Sequence, residues 1–252
     1  MRQIWDYMNE SLFTADRADA DILGQNVEDS FKIKEIRDAM GLPEPDPKSS
    51  SGENKSLNVE LRNGKLFIVL PSHAHSGVYR LNINTKGHKD LLPLNLTGVD
   101  GRCSSLFLVI TNCNDIQDMA DIFSPDFEWE HAASSLNLTI GMCNNLTSLK
   151  GCPKTVNQFT CMYNKKLQGF EGMPQFIDLG LKWDNNSIIL NHSGSIDMKS
   201  KVNSSALEDW IKRVKTEEPT RANLIGIYKE LDKSCGIAKM IKYIFDKADI
   251  KL

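Results

Sequence analysis

The sequence predicts an α/β (α+β) fold for this 252-residue chain: a short solenoid of parallel strands, with a helical N-terminal segment and a C-terminal helical bundle. Three observations predict it. Residues 138–153 and 159–174 superpose at a spacing of 21, apolar residues falling on apolar residues, and both copies close on Gly-x-Pro (Gly151 and Pro153, Gly172 and Pro174). An Asn63-Gly64 pair separates two runs of alternating apolar residues, the strongest short hairpin signal. From Leu207 onward the apolar residues recur at three and four, the period of a helix. A unit of about 20 to 29 residues cannot bury its apolar face alone, so copies stack into a curved array that leaves a strand face exposed.

Taken in order, residues 1–41 are acidic, with nine Asp and Glu against five Lys and Arg. Ile4, Tyr7, Met8 and Leu12 lie along one stripe of a helix, and a second helical run over 27–40 is stopped by Gly41 with Pro43 beyond it. The fourteen residues from Pro43 to Ser56 contain no hydrophobic side chain and read as a flexible linker over 42–56. Leu57, Val59 and Leu61 pair across the Asn-Gly turn with Leu66, Ile68 and Leu70, and Val78, Leu81 and Ile83 follow as a third strand. The hairpin and the Leu81 strand are expected to cap the open sheet edge.

The repeat columns extend in both directions. Leu108, Ile110, Cys113, Ile116 and Met119 precede Leu138, Ile140, Cys143, Leu146 and Leu149 by 30 residues. Leu179, Leu181, Asp184 and Ile188 follow Phe159, Cys161, Asn164 and Leu167 by roughly 20, which makes four copies. In each copy the chain bends away from its strand and leaves backbone groups buried at the corner. A short polar side chain there satisfies them, since a buried unpaired amide costs about 1–3 kcal/mol. The column Cys113, Cys143, Asn164, Asp184 is read as that inner ladder. After Asn191 the pattern becomes helical, with runs from Leu207 to Val214, Leu224 to Leu231 and Ile237 to Phe245. From Met198 to the end, twelve Lys and Arg stand against eight Asp and Glu.

Residues 146–154 and 159–164 resemble the LTSLxGCPK and FxCxxN phrases of leucine-rich-repeat proteins found in tailed bacteriophages and some bacteria. The resemblance is good over 136–176 and looser over 106–120 and 177–190, where Trp183-Asp184-Asn185-Asn186 replaces the usual ending. Residues 1–11 also resemble the N-terminal segment of phage proteins that directs packaging into the capsid; an ordinary amphipathic docking helix is the alternative. The organisation expected is a helical segment over 1–41, the linker, a leucine-rich-repeat-like solenoid with an N-terminal hairpin cap over 57–192, and a helical cap or small domain over 193–252.

Composition is 40% hydrophobic and 25% charged with a net charge of −3, which argues against a general binder of nucleic acid or membrane surfaces. No run of 18 apolar residues and no secretory leader pattern is present. The six cysteines include no Cys-x-x-Cys pair, so free thiols in a reducing compartment are expected. Cys143, Cys152 and Cys161 lie at intervals of nine, but their columns place them on different sides of the copy. His73 and His75 form the one His-x-His, without a third ligand nearby. Cys235 beside Lys233 resembles in outline the nucleophile of repeat-bearing ubiquitin ligases, yet the Cys-x-Asp signature is missing and the remaining length is too small. No catalytic residue, metal or cofactor is expected.

The functional expectation is a non-enzymatic protein-binding module of phage or prophage origin, acting in the host cytoplasm or the virion. The second reading is a virion-associated or injected cargo protein addressed by its N-terminus. The partner in either case is a virion or host protein. If Leu138 and Ile140 point inward, alternation places Asn137 and Thr139 on the concave face. The same rule adds Val109, Thr111, Gln158, Thr160, Met162 and Lys182, with Tyr163 and Trp183 at strand exits as aromatic contacts. The alternative for both rings is that they fill space between copies.

Overall fold

The computed structural model describes residues 13–17, 29–30, 57–71, 77–85, 89, 92–184, 195–199 and 204–252. It is a mixed α/β structure with two sheets and three C-terminal helices. The strands are β1 (Phe13–Arg17), β2 (Asp29–Ser30), β3 (Asn58–Arg62), β4 (Lys65–Val69), β5 (Val78–Ile83), β6 (Leu96–Asp100) and β7 (Cys103–Thr111), then β8 (Phe123–Glu128), β9 (Ala133–Gly141), β10 (Thr155–Met162), β11 (Phe176–Asp184) and β12 (Ser195–Lys199). The helices are α1 (Ser204–Thr216), α2 (Glu218–Glu230) and α3 (Gly236–Ala248).

The larger sheet runs β12-β11-β10-β9-β7-β5-β1-β2, and its five central strands are parallel. Register follows the repeat columns: Leu108 faces Leu138, which faces Phe159, while Ile110 faces Ile140, which faces Cys161. These inward residues are at most 1% exposed. Removing each from water contributes about 1.5–3 kcal/mol, so the stacked columns form the centre of the core.

The fourth copy departs from the expected alignment. Phe159 pairs with Leu181 and Cys161 with Trp183, a spacing of 22 rather than roughly 20. Val156 faces Ile177 but Gln158 faces Gly180, so β11 carries one extra residue around Asp178 and Leu179. A bulge of this kind flips the side chains beyond it to the other face. Leu179 is therefore 42% exposed, and Asp184 pairs with Met162 instead of joining the Asn164 column. Ile188 lies outside the described residues.

The Leu81 strand is a member of the parallel array, not a cap: Leu81 faces Leu108 and Ile83 faces Ile110 at a spacing of 27. Its outer edge is covered by β1, antiparallel to β5, so Phe13–Arg17 and Asp29–Ser30 are strands within the segment read as helical. Pairing removes an exposed row of unpaired N–H and C=O groups from the β5 edge, which outweighs local helical periodicity. The same logic applies at the other end, where Ser195–Lys199 pairs antiparallel with β11 in the region expected to be helical. The expected capsid-targeting stretch over residues 1–11, the linker 42–56 and His73 with His75 lie outside the described residues.

A second, four-stranded sheet, β3-β4-β6-β8, was not foreseen. The Asn63-Gly64 hairpin forms as expected, both residues at positive φ, and β4 then pairs parallel to β6 and β6 to β8. The later copies replace these back strands with loops. Those loops stack closely at Gly151 and Gly172, whose φ values are +91° and +81°. A Cβ there would lie 2.3 Å from the Ala120 nitrogen and 2.4 Å from the Lys150 nitrogen, so the Gly-x-Pro signature marks where one copy's backbone crosses the last.

The three helices close the β11 end of the sheet. Ile237, Ala238, Ile241, Ile244, Phe245 and Ala248 make one buried stripe along α3. Gly236 sits where a Cβ would be 2.7 Å from the Asp178 carbonyl oxygen, and its N–H donates to Asp178 Oδ1 at 3.2 Å. Helices and both sheets share a single continuous core. Cys235 is 2% exposed and accepts from the Ala238 N–H at 3.4 Å, making it the N-cap of α3.

Candidate functional site

The face of the large sheet turned away from the core is built by alternation along β7, β9, β10 and β11. Across it run register rows: Val109, Thr139, Thr160 and Lys182 in one, Phe107, Asn137, Gln158 and Gly180 in the next. Beyond the first, Thr111, Gly141, Met162 and Asp184 align. The expected strip residues therefore do come together on one surface, with differing accessibility. Gln158 is exposed, Thr111, Thr139, Thr160, Met162 and Lys182 are half-buried, and Val109 and Asn137 are 8% and 7% exposed.

Trp183 does not belong to this surface. The extra residue in β11 turns it inward, where it is 2% exposed and packs against Phe170 at a ring-centroid distance of 4.7 Å. Filling space between copies is its role. Tyr163 is 44% exposed and stands at a strand exit as expected.

Polar side chains on the face are held in place by one another. Ser135 Oγ donates to Ser105 Oγ at 2.7 Å, and Asn137 Nδ2 donates to the same oxygen at 2.9 Å. Asn137 Oδ1 has no hydrogen-bond partner among the described residues. Next to it, Gly180 leaves a groove of about 380 Å³ between Gln158, Thr160, Leu179 and Lys182, floored by Phe159 and Leu181. Lys182 stands in register between Thr160 of β10 and Asp197 of β12.

Each strand leaves the sheet in the same way. Asn112, Met142 and Tyr163 follow β7, β9 and β10 with φ of 57°, 56° and 57°. The left-handed residue interrupts the alternation, so the residue after it turns inward: Cys113, Cys143 and Asn164, all 0% exposed. Asn112 N–H donates to the Gly141 carbonyl at 3.1 Å and Met142 N–H to the Met162 carbonyl at 3.1 Å, so the exits are stitched together. Asparagine tolerates this backbone; methionine and tyrosine do so at a cost of about 1–2 kcal/mol each. Yet Met142 is 45% exposed. Its place was legible from the column Asn112, Met142, Tyr163, but strand alternation alone does not reveal it.

The inner ladder is polar as expected for three of its four members. Asn164 Oδ1 accepts from the Cys143 N–H at 2.9 Å, and its Nδ2 donates to the Ile140 carbonyl at 3.2 Å. The Cys143 thiol donates to the Gly141 carbonyl at 3.4 Å. Its hydrogen-bond contact with Cys113, together with burial, pushes that thiol's pKa well up. Burial likewise raises the Cys161 thiol, and lifts Cys103 to about 11. These thiols are protonated packing groups of the core.

Compared with known protein families, with characterised proteins and with solved structures, the chain matches none. Among the described residues no three His, Cys, Asp or Glu side chains converge as a metal-ligand set, and no helix is long and apolar enough to cross a membrane.

Proposed function

We propose that the chain is a non-enzymatic protein-binding module of phage or prophage origin, built as a leucine-rich-repeat-like solenoid whose concave strand face holds the partner. The observation that carries this reading is the row Val109, Thr139, Thr160 and Lys182, in register across four parallel strands. Such a row of small side chains lets another protein's surface approach the sheet closely, and a strip with a single cation suits a protein better than a phosphate backbone. The partner is a virion or host protein, met in the host cytoplasm or the virion.

Arginine at Thr139 and Thr160 tests it. Both positions are half-buried and face away from the core, so the double variant keeps its unfolding midpoint. In a tagged pull-down from phage-infected or lysogenic cells, quantified by mass spectrometry, the proteins enriched by the wild type should be lost from the variant. Enrichment that survives both substitutions places binding elsewhere.

A further inference from the structure

We propose that Met142, Tyr163, Lys165 and Lys166 form a docking rim for an acidic protein segment that carries an aromatic or large apolar side chain. The proposal rests on the protein-binding reading and adds where the partner is anchored and what it presents. Met142 and Tyr163 occupy the same exit position on adjacent strands, since Gly141 and Met162, the residues before them, are register partners. They are two of the five large hydrophobics most exposed among the described residues, at 45% and 44%. Met162 lies beside them, its Cγ 3.4 Å from where a Gly141 side chain would begin, so the absent side chain gives the apolar patch room to be continuous.

Both residues hold a left-handed backbone that the first copy assigns to Asn112, the residue type that tolerates it. Large apolar side chains are thus kept in solvent at positions where asparagine would serve the fold better. Fold stability does not account for that choice, whereas presentation to a partner does.

Charge selects the kind of partner. Lys165 and Lys166 follow Tyr163 and Asn164 directly, and both are exposed. Lys166 Nζ donates to the neutral Asn145 Oδ1 at 2.7 Å, and among the described residues neither lysine has a carboxylate partner. Lys182, in register between Thr160 and Asp197, stands on the adjoining face. An apolar patch beside the exposed ammonium groups of Lys165 and Lys166 complements an aromatic side chain flanked by carboxylates.

The probe is a random copolymer of glutamate and tyrosine, compared with polyglutamate, a lysine–tyrosine copolymer and an oligothymidylate, by fluorescence anisotropy on the full chain. The Glu–Tyr copolymer should bind at least tenfold more tightly than polyglutamate and weaken as salt rises from about 50 to 300 mM. Met142→Asn with Tyr163→Asn should reduce binding to the polyglutamate level while leaving the unfolding temperature unchanged or about 2–4 °C higher. Lys165→Glu with Lys166→Glu should abolish binding of both acidic polymers. Unchanged affinity in the asparagine pair overturns the proposal, as does tighter binding of the oligothymidylate or the Lys–Tyr copolymer. A fall of more than about 5 °C in the asparagine pair also overturns it, because the side chains would then be holding the copies together. Loss of partner capture in the Thr139 and Thr160 arginine variant alone, with the asparagine pair unaffected, leaves the strip as the binding surface and removes the rim.

Discussion

Asn164 does at one corner what a pair of backbone groups would do inside a sheet. It accepts from Cys143 N–H and donates to the Ile140 carbonyl while itself being 0% exposed. Asn164→Ala leaves both groups buried and unpaired, and should lower the unfolding free energy by about 2–4 kcal/mol, read from urea denaturation. The buried thiols set an alkaline limit. Burial raises Cys103 from its ordinary 9.0 to about 11, so between those values the folded chain keeps a proton that the unfolded chain has released. Stability from this group is therefore complete below pH 9 and falls as pH climbs toward 11. Cys161 is raised in the same direction by burial and extends the loss further. The urea midpoint should drop between pH 8.5 and 10.5, and Cys103→Ala should make that drop shallower.

At the scale of the element, β11 shows how one residue changes what a strand presents. Leu179 and Leu181 are identical in chemistry and both have the right spacing for a core position. The bulge leaves Leu179 42% exposed and Leu181 1% exposed. Leu181→Asp should cost about 4 kcal/mol or more, since it places an unpaired charge in the core, whereas Leu179→Asp should stay within about 0.5 kcal/mol. Chemical denaturation of the two variants, run side by side, checks the register directly. The first three copies were legible from sequence because their apolar columns keep one spacing from strand through loop. The fourth was not, because two leucines two residues apart satisfy either register. Only pairing with β10, and the volume available to Trp183 beside Phe170, decides between them.

Across the whole molecule the core is continuous from the Leu57 hairpin through the parallel strands to Phe245 and Ala248 in α3. Trp129 and Trp183 report on the strands and Trp210 on the helices, each within that core. Unfolding followed by tryptophan fluorescence and by far-ultraviolet circular dichroism should therefore give coincident transitions. A separate helical transition at lower denaturant would show the C-terminal helices to be an independent unit. The helices meet the sheet and its loops closely, at Gly236 against the Asp178 carbonyl and at Gly226 against the Phe170 ring, where an added Cβ would have no room.

The sequence by itself determined the repeat: its spacings of 21 and 30, its inward columns, its corner ladder of Cys113, Cys143 and Asn164, and the glycines that let one copy cross the next. These are local matters, since side-chain period and turn chemistry act within a few residues. The tertiary structure decided what depends on distant chain. Antiparallel β1 and β12 cover the array's two edges because open edges leave backbone groups unpaired, and that demand overrides the helical periodicity around them. The second sheet forms because β4, β6 and β8, far apart in sequence, find one another behind the first copies. Which side chains of the candidate face reach solvent was likewise settled by neighbours. Val109 and Asn137 alternate outward like Thr139 and Thr160, yet the strands on either side leave them less than a tenth exposed.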